Sequence, residues 1–247
     1  MPQPSTEPRR LYRQIADRLR ELIRAGVFTL GARLPPERDL AVQFGVSRPS
    51  VREALIALEV EGMVEVRMGS GIYVLACEPA FRSPQIQTAL GPFDIIRARQ
   101  LIESELAARV ARTRKAATLR GLREAVVSMQ ADIAQSVLPI RGDRQFHVCI
   151  AEACDNSALL RVVTQLCDER HNPLFDRLGS HFESVRSWGL AVSEHLAVVA
   201  AIDDKDPERA RAAMHLHLER THDRFEAAWV AEGLEPVVRR ARERQPA

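Results

Sequence analysis

Four side chains in the C-terminal two-thirds of the chain have the types and spacing of a metal site. Asp143 and His147 are four residues apart, so one helix presents both on one face. That face also carries Phe146, Ile150 and Cys154, which points it inward. His195 falls with Val192, Leu196 and Val199 at helical spacing, and His217 falls with Met214, Leu218, Thr221 and Phe225. Three imidazoles and one carboxylate thus lie on the apolar sides of three helices, and a helical bundle brings such sides together. This donor set suits Zn²⁺, Ni²⁺ and similar borderline ions without choosing between them. A lone histidine on an apolar face is more often a hydrogen-bonded core residue, so spacing alone leaves both readings open. The other histidines carry less weight. His215 and His222 fall off the inward stripe and read as solvent-facing, His181 reads as a loop residue, and His171 belongs to a His-Asn-Pro element.

A second chemistry is that of arginine. Arg48 and Arg52 are four apart and share one helix face, read as outward, with Val51, Leu55 and Leu58 inward. A guanidinium bridges guanine O6 and N7, which makes such a face a reader of base edges. The bland alternative is a solvated arginine face. Arg99 lies one turn before Glu103, so an i,i+4 ion pair competes there with a carboxylate-binding role.

The elements that must hold these groups can be read locally. Leu11, Ile15, Leu19, Leu22 and Ile23 give a first helix over about residues 9–25. A short helix starts after Pro35-Pro36 and stops at Gly45, and Ser47 caps the helix that carries Arg48 and Arg52. Gly62 ends that helix. Val64, Val66, Gly69-Ser-Gly71, Ile72 and Val74 then read as two strands around a glycine turn. Helix, tight turn, helix and ribbon make a winged helix-turn-helix, whose second helix fits the DNA major groove. Beyond Pro92 only helical periodicity appears, broken at Pro139, Asn156, Pro173, Gly179 and Asp206-Pro207, with helices expected over 92–113, 116–137, 140–154, 157–178, 184–203 and 207–231. The fold class is therefore mostly α. A winged helix-turn-helix domain spans 1–78, a linker 79–91, and an all-helical bundle 92–247, with a mobile arm over 1–8 and a frayed basic tail over 238–247.

Composition sets bounds. A chain of 247 residues with 46% hydrophobic content suits two modest domains. The sequence reads as having no apolar run of membrane-spanning length and no signal peptide, hence as a cytoplasmic protein without a membrane partner. Cys77, Cys149, Cys154 and Cys167 lack metal-finger spacing and read as buried reduced thiols in helical, apolar surroundings. Residues 1–78 hold eleven Arg, no Lys and ten acids, so DNA binding must come from clustering on one face rather than from bulk charge.

The N-terminal region resembles the GntR family of bacterial transcription regulators. The likeness rests on Leu34-Pro-Pro-Glu-Arg38, Val46-Ser-Arg48, Val51-Arg-Glu-Ala-Leu55, Leu58-Glu-Val-Glu-Gly62 and Gly69-Ser-Gly71. Arg99 to Glu103, Asp143-Arg-Gln-Phe-His147, Asn156, Glu194-His195 and Met214-His-Leu-His217-Leu218 extend it to the FadR-like branch with an FCD-type effector domain. Glu7 to Tyr12, Gly91-Pro-Phe93, Ala98 to Ser104 and His171-Asn-Pro173 look like the hexuronate-operon repressors of the ExuR and UxuR type. The resemblance implies DNA contacts from Arg38, Ser47, Arg48, Ser50, Arg52 and Gly69. It implies a divalent metal, Zn foremost and Ni or another borderline ion next, held by Asp143, His147, His195 and His217. It also implies a hexuronate-like carboxylate at Arg99 and His171, and a homodimer that represses at an inverted repeat of double-stranded operator DNA until the acid binds.

Other function classes are weighed against this one. A FadR-like regulator answering another organic acid, such as an aldarate, gluconate or lactate, fits the same residues. A metal-dependent sugar-acid enzyme finds support in the His₃Asp set alone, because no Gly-rich phosphate loop, nucleophile elbow or paired-carboxylate arrangement is evident. A purely architectural DNA-binding protein leaves the inward polar cluster without a use.

Overall fold

The computed structural model describes residues 10–80 and 88–227. The expected N-terminal arm, most of the linker, the end of the last helix and the basic tail lie outside the described residues. The described chain separates into two compact units: one runs to Pro92 and includes Asn172–Arg177, and the other comprises Phe93–His171 and Leu178–Ala227.

In the first unit, α1 (Leu11–Arg24), α2 (Glu37–Phe44) and α3 (Arg48–Val60) precede β1 (Val64–Arg67) and β2 (Gly71–Val74). Pro36 is the N-cap of α2, and Gly45 closes it in the left-handed conformation at φ +66°, where a side chain would be strained. Ser47 caps α3 by accepting from the Ser50 amide. Tyr12, Ile15, Leu19 and Ile23 of α1 are buried, as are Val51, Leu55 and Leu58 of α3. β1 and β2 pair antiparallel, Val64 opposite Val74 and Val66 opposite Ile72, so four apolar side chains share the inner face. Sequence reading missed the segment beside them. Leu34 N donates to Ile72 O and Gly31 N to Val74 O, which adds a short extended stretch along β2.

The second unit holds α4 (Pro92–Thr113), α5 (Ala116–Ala134), α6 (Ile140–Glu152), α7 (Ser157–Asp168), α8 (Pro173–Phe182), α9 (Val185–Asp203) and α10 (Pro207–Glu226), with α8 beginning inside the first unit's segment. The helix expected over 157–178 is corrected. It ends at Asp168, passes through a 3₁₀ turn at Glu169–His171, and a new helix starts at Pro173. Proline lacks the amide that would continue the first helix but suits an N1 position, and Asn172 Oδ1 accepts from Phe175 N. Gly179 and His181 consequently sit within helix α8 rather than at a break or in a loop. The other boundaries follow local caps: Asn156 accepts from Ala158 N and Leu159 N, Ser184 and Ser187 form a capping box, and Asp206 accepts from Arg209 N.

Two readings of composition are also corrected. α9 is 19 residues long with a mean hydropathy of 1.2, enough by length and composition to span a membrane, but half of that stretch is buried in the bundle. Cys77 is exposed in the coil after β2, whereas Cys154 and Cys167 are buried as expected.

Candidate metal centre and DNA-reading surface

α6 is brought close to α5 at Gly142, where a Cβ would stand 2.7 Å from Met129 Cγ and 3.0 Å from Ala125 O. The next residue is Asp143. Its carboxylate and the imidazoles of His147, His195 and His217 offer donor atoms all within 4.8 Å of one another, and all four residues are buried. The i,i+4 spacing on α6 supplies Asp143 and His147, α9 supplies His195, and α10 supplies His217. His195 Nε2 lies 3.4 Å from His147 Nε2 and 3.3 Å from Asp143 Oδ1, and His147 Nε2 lies 3.6 Å from Asp143 Oδ1. Leu196, read as part of the inward stripe, is 44% exposed. Ala191, Val192, Val198 and Val199 frame His195 instead.

Each imidazole turns its other nitrogen to an acceptor. His195 Nδ1 is 2.7 Å from Ala191 O, His217 Nδ1 is 2.9 Å from Glu194 Oε2, and His147 Nδ1 pairs with Glu103 Oε2. An acceptor at Nδ1 favours the neutral tautomer that carries its proton there, in which Nε2 keeps a lone pair. Burial opposes charge throughout this site. It raises the Asp143 carboxyl, but the hydrogen bonds and charges of His147 and His195 outweigh it and hold Asp143 well below the usual carboxylate range. Burial and the neighbouring His195 and His147 push His217 well below the usual imidazole range. For His147 burial pulls downward, yet Glu103 and Asp143 raise it overall. Glu103 is destabilised by burial but brought down to about 2 by Arg99 and His147. Three imidazoles and a carboxylate held in its charged form are a donor set that could hold a metal cation.

Arg99 borders this centre. It is buried, its Nε donates to Glu103 Oε1 at 2.7 Å, and its Nη2 is buried without a hydrogen-bond partner among the described residues. The expected ion pair is thus present, and it leaves a donor over. His171 is exposed in the 3₁₀ turn. His222, read as solvent-facing, is corrected: its side chain is 16% exposed, packs edge-on to Phe93 at 5.0 Å, and lies near Asp223 and Glu226. Glu103 and Glu194 were not marked as partners of the cluster from the sequence. Glu194 had one available signal, a charged residue in an otherwise apolar helical stretch, whereas Glu103 lies among other charged residues and had none of that kind.

In the first unit, Arg38, Arg48 and Gly69 line one cleft together with Arg33, Ser70 and Gly71. Arg38 is 84% exposed at its side chain, Arg48 is exposed, and Gly69 turns the wing at φ +72°. Ser47 Oγ and Ser50 Oγ are 2.9 Å apart at the start of α3, where orphan amides favour an anion. The outward placement of Arg52 is corrected. It is 1% exposed and forms two hydrogen bonds to Glu37, Nε to Oε1 at 2.7 Å and Nη2 to Oε2 at 2.6 Å. The face that carries Arg52 is covered by the start of α2, which periodicity within α3 cannot reveal.

The model of "Bacterial regulatory proteins, gntR family" matches residues 11–74, and that of the FCD domain matches residues 94–220. The Exu regulon transcriptional regulator of Escherichia coli (strain K12) is 41% identical over 223 residues, covering 87% of this chain and 84% of that protein. The Uxu operon transcriptional regulator of the same strain is 36% identical, covering 90% and 89%. A putative L-lactate dehydrogenase operon regulatory protein of that strain is 33% identical, covering 87% and 86%. A winged helix-turn-helix joined to an FCD bundle, matched at this identity along nearly the whole chain, places the protein in the GntR family: it is a DNA-binding transcription regulator, not an enzyme.

Proposed function

We propose that the protein is a cytoplasmic, homodimeric repressor of hexuronate catabolism, released from an inverted-repeat operator when a sugar-acid carboxylate binds beside a metal in the bundle. The observation that carries the effector half is the buried Arg99 Nη2, which has no hydrogen-bond partner among the described residues. A buried unsatisfied donor costs ~1–3 kcal/mol. A carboxylate that reaches it recovers that cost, and a planar guanidinium offers it a fork. The Exu and Uxu regulators at 41% and 36% identity, with the hexuronate-type segments of the sequence, point the acid toward a hexuronate. His171 is assigned to the same acid on the His-Asn-Pro resemblance alone.

Asp143, His147, His195 and His217 would hold the metal, Zn²⁺ before Ni²⁺. A tetrahedral site with bonds of ~2.0–2.1 Å needs donor–donor edges of about 3.3 Å. The three edges among Asp143, His147 and His195 run from 3.3 to 3.6 Å. When bound, the ion supplies positive charge and, if its coordination expands, open positions for a carboxylate.

On the DNA side, residues 1–78 read the operator, 79–91 link, and 92–247 bind the acid and dimerise. Arg38 and Arg48 contact bases or phosphates, Ser47 and Ser50 bond phosphate, and Gly69 lets the wing approach the minor groove. Arg52 serves the same surface from behind by holding Glu37 at the start of α2. One recognition helix reads few base pairs, so two-fold symmetry doubles the site. Light scattering should give a dimer, and a monomer that shifts operator at one copy per site overturns that.

A thermal-shift and gel-shift screen against galacturonate, glucuronate, tagaturonate, fructuronate and aldarates tests the effector. A hexuronate or its keto derivative should raise the melting temperature and loosen operator binding. A response confined to another acid favours a second reading, a regulator of different carboxylate metabolism, which the lactate-operon relative supports.

A further inference from the structure

Neither of two buried glutamates is a ligand of the centre, and both sit directly behind one. His195 finds its Nδ1 acceptor in its own helix, the Ala191 carbonyl one turn back. Among the described residues, His147 and His217 meet their Nδ1 acceptors on other helices. Glu103 reaches His147 from α4, and Glu194 reaches His217 from α9. Each glutamate is held in turn by an arginine. Arg99 Nε donates to Glu103 Oε1 at 2.7 Å, and Arg224 Nη1 and Nη2 donate to the two Glu194 oxygens at 2.9 and 3.3 Å. Glu103 is 1% exposed and Glu194 7%.

We propose that Glu103 and Glu194 are the positioning residues of the metal centre, each accepting a hydrogen bond from the Nδ1–H of one imidazole and thereby directing its Nε2 at the ion. This rests on the metal reading above. A carboxylate can only accept, so the imidazole opposite it must donate from Nδ1. Its Nε2 then keeps the lone pair that a metal requires, and the ring cannot rotate without losing the bond. Glu103 adds a consequence. It ties Arg99, the arginine assigned to the effector, to His147 through one shared carboxylate, so α4 joins the centre without contributing a ligand. Glu194 and His195 are successive residues of α9, and they serve two different imidazoles.

The test uses the full-length protein with Zn²⁺ or Co²⁺ alone as the probe. Glu103→Gln and Glu194→Gln keep the size of the side chain but remove its charge. Each should weaken metal binding by about 10–100-fold in competition against a chromophoric chelator. Nitrogen-15 histidine spectra of metal-loaded wild type should show the proton on Nδ1 of His147, His195 and His217. Equal metal affinity in both variants overturns the inference. A proton on Nε2 of His147 or His217 also overturns it, and that reading needs no variant to fold. Wild type that takes up neither ion overturns the metal centre itself, whereas wild type that loads beside unaffected variants removes only the role of the glutamates.

Discussion

Both units of this protein bury an arginine against a glutamate, and the two pairs end differently. Arg52 and Glu37 close on each other through two hydrogen bonds, with both side chains almost wholly buried. Arg99 and Glu103 are as deeply buried, but Arg99 spends Nε on Glu103 while Nη2 remains without a partner, and Glu103 turns its second oxygen to His147. The first pair leaves no buried side-chain atom unsatisfied among the described residues and clamps the start of α2 to α3. The second is open at both ends: Arg99 Nη2 has no hydrogen-bond partner among the described residues, and Glu103 Oε2 faces a candidate metal ligand. Identical residue types thus form a closed clamp in one place and, on the function proposed above, serve binding in the other. The difference lies in how many polar atoms the surroundings leave unsatisfied.

The sharpest way to break this comparison is to remove one member of the closed pair. Glu37→Ala withdraws the carboxylate from a buried guanidinium and should cost ~3–5 kcal/mol in urea unfolding, with Arg52→Met added to Glu37→Leu recovering most of it. Single variants as stable as wild type would show that the clamp is not closed. The open side is probed by His195→Ala or His217→Ala, which should lose a stoichiometric metal and lower the melting temperature. An ion bound only to the native state at a thousand times its Kd contributes ~4 kcal/mol. Elemental analysis that finds no metal in untagged wild type, purified without chelator, would remove the site.

Smaller effects separate the arginines by role. Arg48→Ala should weaken specific operator binding by ~1–3 kcal/mol with unchanged circular dichroism. Arg52→Ala should instead lose stability before it loses affinity, and the reverse order would return Arg52 to the reading face. Arg99→Lys keeps the charge but loses the fork. It should abolish the effector response, a coupling of ~1–3 kcal/mol, and spare operator binding without ligand. Unaltered hexuronate affinity in calorimetry would take Arg99 out of the pocket.

The smallest expected effect is on pH. Burial lowers His147, but Glu103 and Asp143 raise it overall, so its second proton is kept to higher pH than on a free imidazole and competes there with a metal. Metal affinity should therefore rise with pH by about tenfold per unit for each proton released, and level off above the raised value of His147. Calorimetry in buffers of different ionisation enthalpy counts that proton. Affinity that is flat across this range would mean that His147 is not protonated before the metal binds.

What the sequence determined by itself is local. The Pro35-Pro36 start, the Gly45 stop and the Ser47 cap place α2 and α3, because each acts within one helical turn. Asp143 and His147 share a face by the 3.6-residue repeat alone, and the apolar stripes of α9 and α10 turn His195 and His217 inward. Where a local rule carried two meanings it failed. Pro173 breaks one helix and starts the next, and only the cap at Asn172 decides between them. The tertiary structure alone decided which side of α3 is covered, since Glu37 lies 15 residues from the Arg52 that it buries. It also decided that Glu103 meets His147 and that Glu194 meets His217, pairings drawn from different helices. Helical periodicity says which residues face inward. It cannot say which inward groups meet, because that depends on the rotation and depth at which the helices pack.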